Sequence, residues 1–192
     1  APGFALVALA ASAGGLNALA EVLGNLPANF PTAIVVVQHL DPRHRSLMAD
    51  ILNRRTGLTV KEATQGDLLM AGTVYIAPPD HHLLVNADGT LALTQTELVH
   101  FVRPSADLLF ESVAASYRDK SIAVVLTGNG NDGAMGVKAI KKMGGTVIAQ
   151  DKPTSDYFGM PGSAMATGDV DFVLPLGDIA PALITLMKET PR

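Results

Sequence analysis

The chain has 192 residues, enough for one domain with a sizeable core and short of two full ones. Apolar residues make up 48% and charged residues only 17%, with a mean hydropathy of +0.28, which excludes a disordered or supercharged chain. The net charge of −4 leaves no general phosphate-neutralising surface, which disfavours nucleic acid as a partner, and the absence of cysteine excludes disulfides, thiol nucleophiles and thiolate metal sites.

Phe4 to Ala10 is predicted as a first strand. Leu16, Leu19, Ala20 and Leu23 fall at helical spacing, so a helix follows and stops at Gly24, with Pro27 beyond it. Thr32 to Gln38 is a fully buried strand by its β-branched content, and Leu47, Met48, Ile51 and Leu52 mark a second helix ending near Gly57. Between residues 58 and 100 the pattern shifts to short β runs, Thr73 to Ile76, His82 to Val85 and Thr90 to Leu93, the last two reading as a hairpin across Asn86-Ala87-Asp88-Gly89. Ser105 caps a helix with Leu108, Leu109 and Val113 on its buried stripe. Strand Ser121 to Leu126, helix Ala134 to Met143, strand Thr146 to Ala149 and a terminal helix Asp178 to Met187 complete the alternation. This is the pattern of an α/β domain, residues 1–192, with a mostly parallel doubly wound sheet covered on both faces and a small hairpin insertion.

The longest apolar runs, Phe4 to Ala11 and Ala33 to Val37, are far short of the roughly 20 residues a membrane helix needs, and no Lys or Arg precedes the first as a secretory signal requires. The start at Ala1-Pro2-Gly3, without Met, leads to the expectation of a domain cut from a longer protein.

In an open parallel sheet, ligands bind outside the carboxyl ends of the strands. The residues there are Ser12 after the first strand, His39 after the second, and Asp132 in the glycine loop after Ser121 to Leu126. A serine hydroxyl becomes a useful nucleophile when a base takes its proton and a carboxylate orients that base. These three supply the roles, and the small-residue turn Ala10-Ala11-Ser12-Ala13-Gly14-Gly15 exposes the hydroxyl at a helix start. The chain order Ser12, His39, Asp132 and the alanine at the first elbow position disfavour an α/β-hydrolase.

Gly128-Asn129-Gly130-Asn131-Asp132-Gly133 also fits a dinucleotide fingerprint, with Asp151 as the following acid. Against it, Asp132 sits among the amides meant for a pyrophosphate, where two unit charges about 5 Å apart repel by roughly 3 kcal/mol at an effective dielectric of 20. A third reading is an inactive interaction module of the same fold. His39-x-Asp41-x-x-His44 and Asp80-His81-His82 hold metal-ligand types but no complete set, and the second group reads as solvated loop residues. Met135, Met143, Met160, Met165 and Met187 read as core fillers, and Lys138, Lys141 and Lys142 as the solvated face of their helix.

Ala11-Ser12-Ala13-Gly14-Gly15, Gln38-His39, Tyr75-Ile76-Ala77-Pro78-Pro79-Asp80, Arg103-Pro104-Ser105, Leu126-Thr127-Gly128 through Asp132-Gly133, Ala149-Gln150-Asp151 and Gly159-Met160-Pro161 are ordered landmarks spanning nearly the whole chain. In these the sequence resembles the CheB-type protein-glutamate methylesterases of bacterial chemosensory systems. The resemblance implies a three-layer α/β/α domain that hydrolyses glutamyl methyl esters on chemoreceptor signalling helices in the cytoplasm, and in some members deamidates receptor glutamines. It implies no metal or organic cofactor. It places the nucleophile on Ser12, the base on His39 and the orienting acid on Asp132, with backbone oxyanion contacts at Ala13 and Asn129. Ala13 stands where the family often has Thr and Asn129 where it often has Met, so oxyanion stabilisation falls to backbone N–H groups in a more polar pocket. The family also implies a receiver or methyltransferase domain in the full-length protein. Arg43, Arg45 and Arg103 are the candidates for steering the polar, partly acidic receptor surface.

Overall fold

Leu6–Ala11 (β1) and Ala33–Gln38 (β2) are buried along their whole length, which their unbroken apolar runs require of central strands covered on both faces. The computed structural model describes residues 5–39, 47–98 and 102–188. Between and after these strands come Gly15–Gly24 (α1), Met48–Asn53 (α2), Thr59–Glu62 (β3), Thr73–Ile76 (β4), His82–Val85 (β5) and Leu91–Thr94 (β6). The second half holds Ala106–Tyr117 (α3), Ser121–Val125 (β7), Ala134–Lys142 (α4), Thr146–Gln150 (β8), Gly159–Ala166 (α5), Phe172–Leu174 (β9) and Leu176–Lys188 (α6).

Among the described residues, seven strands form one sheet in the order β3-β4-β2-β1-β7-β8-β9, every pair parallel, and β5 and β6 pair antiparallel apart from it. Alternation along the strands divides the core in two. Val7, Leu9 and Ala11 face α1, α2 and α6; Leu6, Ala8 and Ala10 face α3, α4, α5 and the hairpin. The expected three-layer α/β/α architecture with a hairpin insertion is therefore present. From β1 the chain passes to β2, then to the edge strand β3 and back to β4 between β3 and β2, before crossing to β7 on the other flank. The boundary between β1 and β7 is thus the topological switch point, where loops diverge and leave a crevice.

Three elements depart from the sequence expectation. β3 was not expected because only Val60 of its four residues is buried, and β9 because Phe172 and Val173 lie half-exposed at a sheet edge. α5 contains Gly159, Pro161 and Gly162, residues that argue against a helix, yet a Cβ on Gly159 would lie 2.9 Å from the Gly130 nitrogen. Close approach to the glycine loop outweighs helix propensity there. α2 also ends at Asn53, short of Gly57, and Met135 and Met165 are exposed rather than packed in the core.

Candidate active site

Parallel pairing sets Ala11 opposite Gln38, so Ser12 and His39 are the next residues beyond two adjacent strand ends. The backbone keeps that relation: His39 N–H donates to the Ala11 carbonyl (3.1 Å), and Ser12 N–H donates to Thr127 O (3.0 Å) beyond β7. Continuing the strand alternation, Ser12 follows Ala10 and His39 follows Val37 onto the α3 and α4 face. A Cβ on Gly128 would stand 2.7 Å from Ser12 Cβ and 2.5 Å from Met160 Sδ, so the close approach of the β7 loop to Ser12 requires glycine.

The third element is Asp132, buried just before α4. His39 Nε2 lies 2.7 Å from Asp132 Oδ2. A carboxylate only accepts, so Nε2 carries the hydrogen and Nδ1 is left as the basic nitrogen. Asp132 Oδ2 also accepts from Ala106 N–H (2.7 Å), while Oδ1 accepts from Ser105 Oγ–H (3.0 Å) and Asp107 N–H (3.0 Å). Burial pushes the Asp132 carboxyl up, but hydrogen bonds from His39 and from the Ala106 and Asp107 amides outweigh it and hold the group below the usual carboxylate range. A carboxyl lowered on folding contributes stability that is complete above its unfolded value of about 4 and is lost as pH falls through the lower folded value. In an acid titration followed by circular dichroism, Asp132→Asn is therefore expected to lose less of its remaining stability below about pH 4 than the parent does. Parallel acid curves for the two proteins would contradict this linkage.

Asp107 answers Asp132 in reverse. From the first turn of α3 its Oδ1 accepts the N–H groups of Gly133 (2.9 Å) and Gly136 (2.8 Å) at the start of α4. Each helix thus has its N-terminal amides capped by an aspartate from the other's N-terminal segment. This differs from the expected local cap: Ser105 stands at the N-cap position but makes no side-chain cap bond, and its hydroxyl goes to Asp132. It also removes the dinucleotide reading, because the Gly133 and Gly136 amides already serve Asp107 and a carboxylate occupies the loop.

His39, Val102, Asn129, Gly130, Asn131 and Asp132 line a cleft of ≈ 90 Å³. A larger hollow of ≈ 220 Å³, walled by Pro27, Phe30, Ile184 and Met187, lies away from these groups, beside the segment that precedes β2. Behind Asp132, His82 is fully buried rather than solvated: Nδ1 accepts Ser105 N–H (3.1 Å), and Nε2 therefore donates to Glu97 O (3.0 Å). Asp80 pairs with Arg103 at 2.6 Å, and the Arg103 guanidinium also donates to the Gln95 and Thr96 carbonyls, so its donors tie the segment after β6 to the start of α3. Among the described residues no cluster suits a metal ion. Arg43 and Arg45, like Asp41 and His44, lie outside the described residues. Lys141, from the expected solvated face, pairs with Asp171 at 2.5 Å.

Gln38, His82, Asp107 and Gln150 are further buried polar residues around the site that no sequence motif assigns a role. Gln38 and Gln150 carried a signal, since each is a polar residue ending an apolar strand and each is buried. Gln150 Oε1 accepts Thr127 N–H (2.8 Å) and its Nε2 donates to Thr154 O (2.8 Å). The Thr127 hydroxyl accepts Tyr157 N–H (2.9 Å), which fixes the loop beyond β7 against the segment before α5.

The family model described as CheB methylesterase matches residues 7–183. A protein-glutamate methylesterase/protein-glutamine glutaminase of Moorella thermoacetica is 43% identical over 190 residues, which is 97% of this chain and 45% of that protein. A protein of Cupriavidus pinatubonensis, named protein-glutamate methylesterase/protein-glutamine glutaminase 1, is 46% identical over 93% of this chain and 52% of its own length. The chain thus spans about half the length of these curated relatives. The crystal structure of the Thermotoga maritima CheB methylesterase catalytic domain superposes with a TM-score of 0.92 at 43% identity, covering 95% of this chain and 98% of that one. A match over that span of sequence and fold, around a serine, a histidine and a buried aspartate at the switch point of the sheet, places the chain in the CheB methylesterase family.

Proposed function

We propose that the chain is one catalytic domain, a serine protein-glutamate methylesterase in which Ser12 is the nucleophile, His39 the base and Asp132 the orienting acid. The observation that carries this reading is the 2.7 Å His39–Asp132 hydrogen bond, with His39 and Ser12 each one residue beyond the paired strand ends Gln38 and Ala11. His39 Nδ1 takes the hydroxyl proton as Ser12 Oγ attacks the glutamyl ester carbonyl. The Ala13 and Asn129 N–H groups receive the developing oxyanion, as backbone donors near a helix start and in a glycine loop are suited to do. The C–O bond then breaks, methanol leaves with the proton from His39, and water attacks the acyl-serine by the same route to release a glutamate carboxylate. A glutamine side chain follows the same course with ammonia as leaving group, consistent with the paired activities in the relatives' names. No metal or organic cofactor enters these steps.

The proposed substrates are methylated helices of chemoreceptors, met in the cytoplasm and serving chemosensory adaptation, with a receiver or methyltransferase domain as the further partner in a longer protein. Among the described residues no helix is long and apolar enough to cross a membrane. The test is methanol release from a methylated receptor fragment with Ser12→Ala as control. Release by the parent alone supports the reading, and equal release by both, or by neither, overturns it. For docking we propose Arg43 and Arg45 as steering cations, with Arg103 as a third candidate whose intramolecular partners favour a supporting role. Charge reversal at Arg43 or Arg45 is expected to lower kcat/KM on intact receptor roughly 10-fold while sparing a small activated ester, because steering acts only on the large charged partner. Equal losses on both substrates would instead indicate damage to the site.

A further inference from the structure

The Gln38 side chain ends β2 in the core, 6% exposed, directly before the base. Its Nε2 lies 2.8 Å from the carbonyl oxygen of Ser12 and 3.1 Å from that of His39. Two carbonyls can be served only by the amide NH2, so the orientation of the side chain is fixed by chemistry and each of its two hydrogens has one acceptor. Among the described residues the other end, Oε1, is buried with no hydrogen-bond partner. Gln150, at the equivalent strand end on the far side of the switch point, has both ends of its amide engaged. A buried acceptor left unpaired is a standing cost to stability, and an apolar side chain of the same shape would avoid it.

Space has been kept for this amide. A Cβ on Gly15 would lie 1.9 Å from Gln38 Oε1, 2.8 Å from its Cδ and 2.9 Å from Ala11 Cβ. Gly15 opens α1, where alanine is otherwise the better helix former. Meanwhile the Ser12 carbonyl already accepts Gly15 N–H at 2.8 Å, so the turn does not need Gln38 merely to satisfy that oxygen.

We propose that Gln38 is a positioning residue for the esterase reaction: its NH2 bridges the Ser12 and His39 carbonyls and sets the spacing between nucleophile and base. The proposal rests on the Ser12–His39 assignment above and adds to it the group that holds the two in register. Displacing a reacting pair by about 1 Å costs on the order of 100-fold in rate, so a single bridging amide has leverage on kcat even though it touches no substrate atom.

The test compares the parent with Gln38→Met, which keeps the length of the side chain and removes both donors, and with Gly15→Ala, which leaves Gln38 in place and crowds its amide. Hydrolysis of a methylated receptor fragment is measured with each, and folding is checked by circular dichroism. Activity in the parent and its loss in Ser12→Ala establish the underlying reading first, so a failure there is distinct from a failure of the bridge. The expected result is a fall in kcat of about 10- to 100-fold in each variant, with KM within about twofold of the parent. The double variant should lose no more than about the larger single loss, because both changes act on one amide. A Gln38→Met protein that is less stable yet turns over at the parent kcat in its folded fraction would overturn the proposal, as would losses that multiply in the double variant. Should Gln38→Met not fold, Gly15→Ala decides by the same kcat and KM criterion.

Discussion

Replacing either Ser12 or His39 by alanine is expected to lower kcat for ester hydrolysis by about 10⁴- to 10⁶-fold, and replacing both should cost little more than the worse single change. In the proposed mechanism the two act as one unit, since the base has nothing to activate without the hydroxyl and the hydroxyl is a poor nucleophile without the base. What survives should be the contribution of substrate binding and backbone oxyanion contacts, which neither substitution touches. KM on a receptor fragment should change much less than kcat. Methanol release under single-turnover conditions is the measurement, and Ser12→Ala turning over near the parent rate would point to another nucleophile or to a directly activated water.

The second large effect concerns stability. Asp107→Ala is expected to destabilise the protein by about 2–4 kcal/mol, because the Gly133 and Gly136 N–H groups lose the oxygen they share. A Cβ on Gly136 would lie 2.5 Å from Phe110 Cβ, so α3 and α4 are in close contact there and water can restore only part of what is lost. At roughly 2–4 °C per kcal/mol for a chain of this size, the melting temperature should fall by about 4–16 °C. A second readout separates this from general loosening. Burial, and then the nearby Asp107 charge, holds the Glu111 carboxyl above its usual range, so in the variant Glu111 should titrate lower. A stability loss below about 1 kcal/mol would mean that other acceptors reach the α4 amides.

The proposed triad could be picked out in the sequence because Ser12 and His39 each follow an apolar strand run, and Asp132 lies in the loop beyond another, at the edge where open parallel sheets bind ligands. The second role of Asp132 was hidden, since its donors come from residues 105–107 and only the packing of α3 on α4 brings them near. A local capping rule therefore gave Ser105 the task that Asp132 performs. His82 read as a loop residue because Pro78-Pro79 precede it, whereas the hairpin folds it under the start of α3. α5 was illegible for a related reason: its glycines answer a neighbouring loop, which local propensity cannot register.

The exchange of carboxylates between α3 and α4 also bears on how a loss of activity would leave its trace in the chain. Among the described residues the hydrogen bonds of Ser12 run through its backbone atoms, so on the proposed assignment a side-chain change there would abolish chemistry while leaving the fold intact. Asp132 cannot be given up so cheaply, because three donors besides His39 converge on its two oxygens. A descendant that no longer hydrolyses esters would keep the aspartate as a structural fixture long after the serine had drifted. In sequences with this architecture, an aspartate at this position reports that the two helices are joined, and on the proposed assignment the serine reports that the ester chemistry is intact.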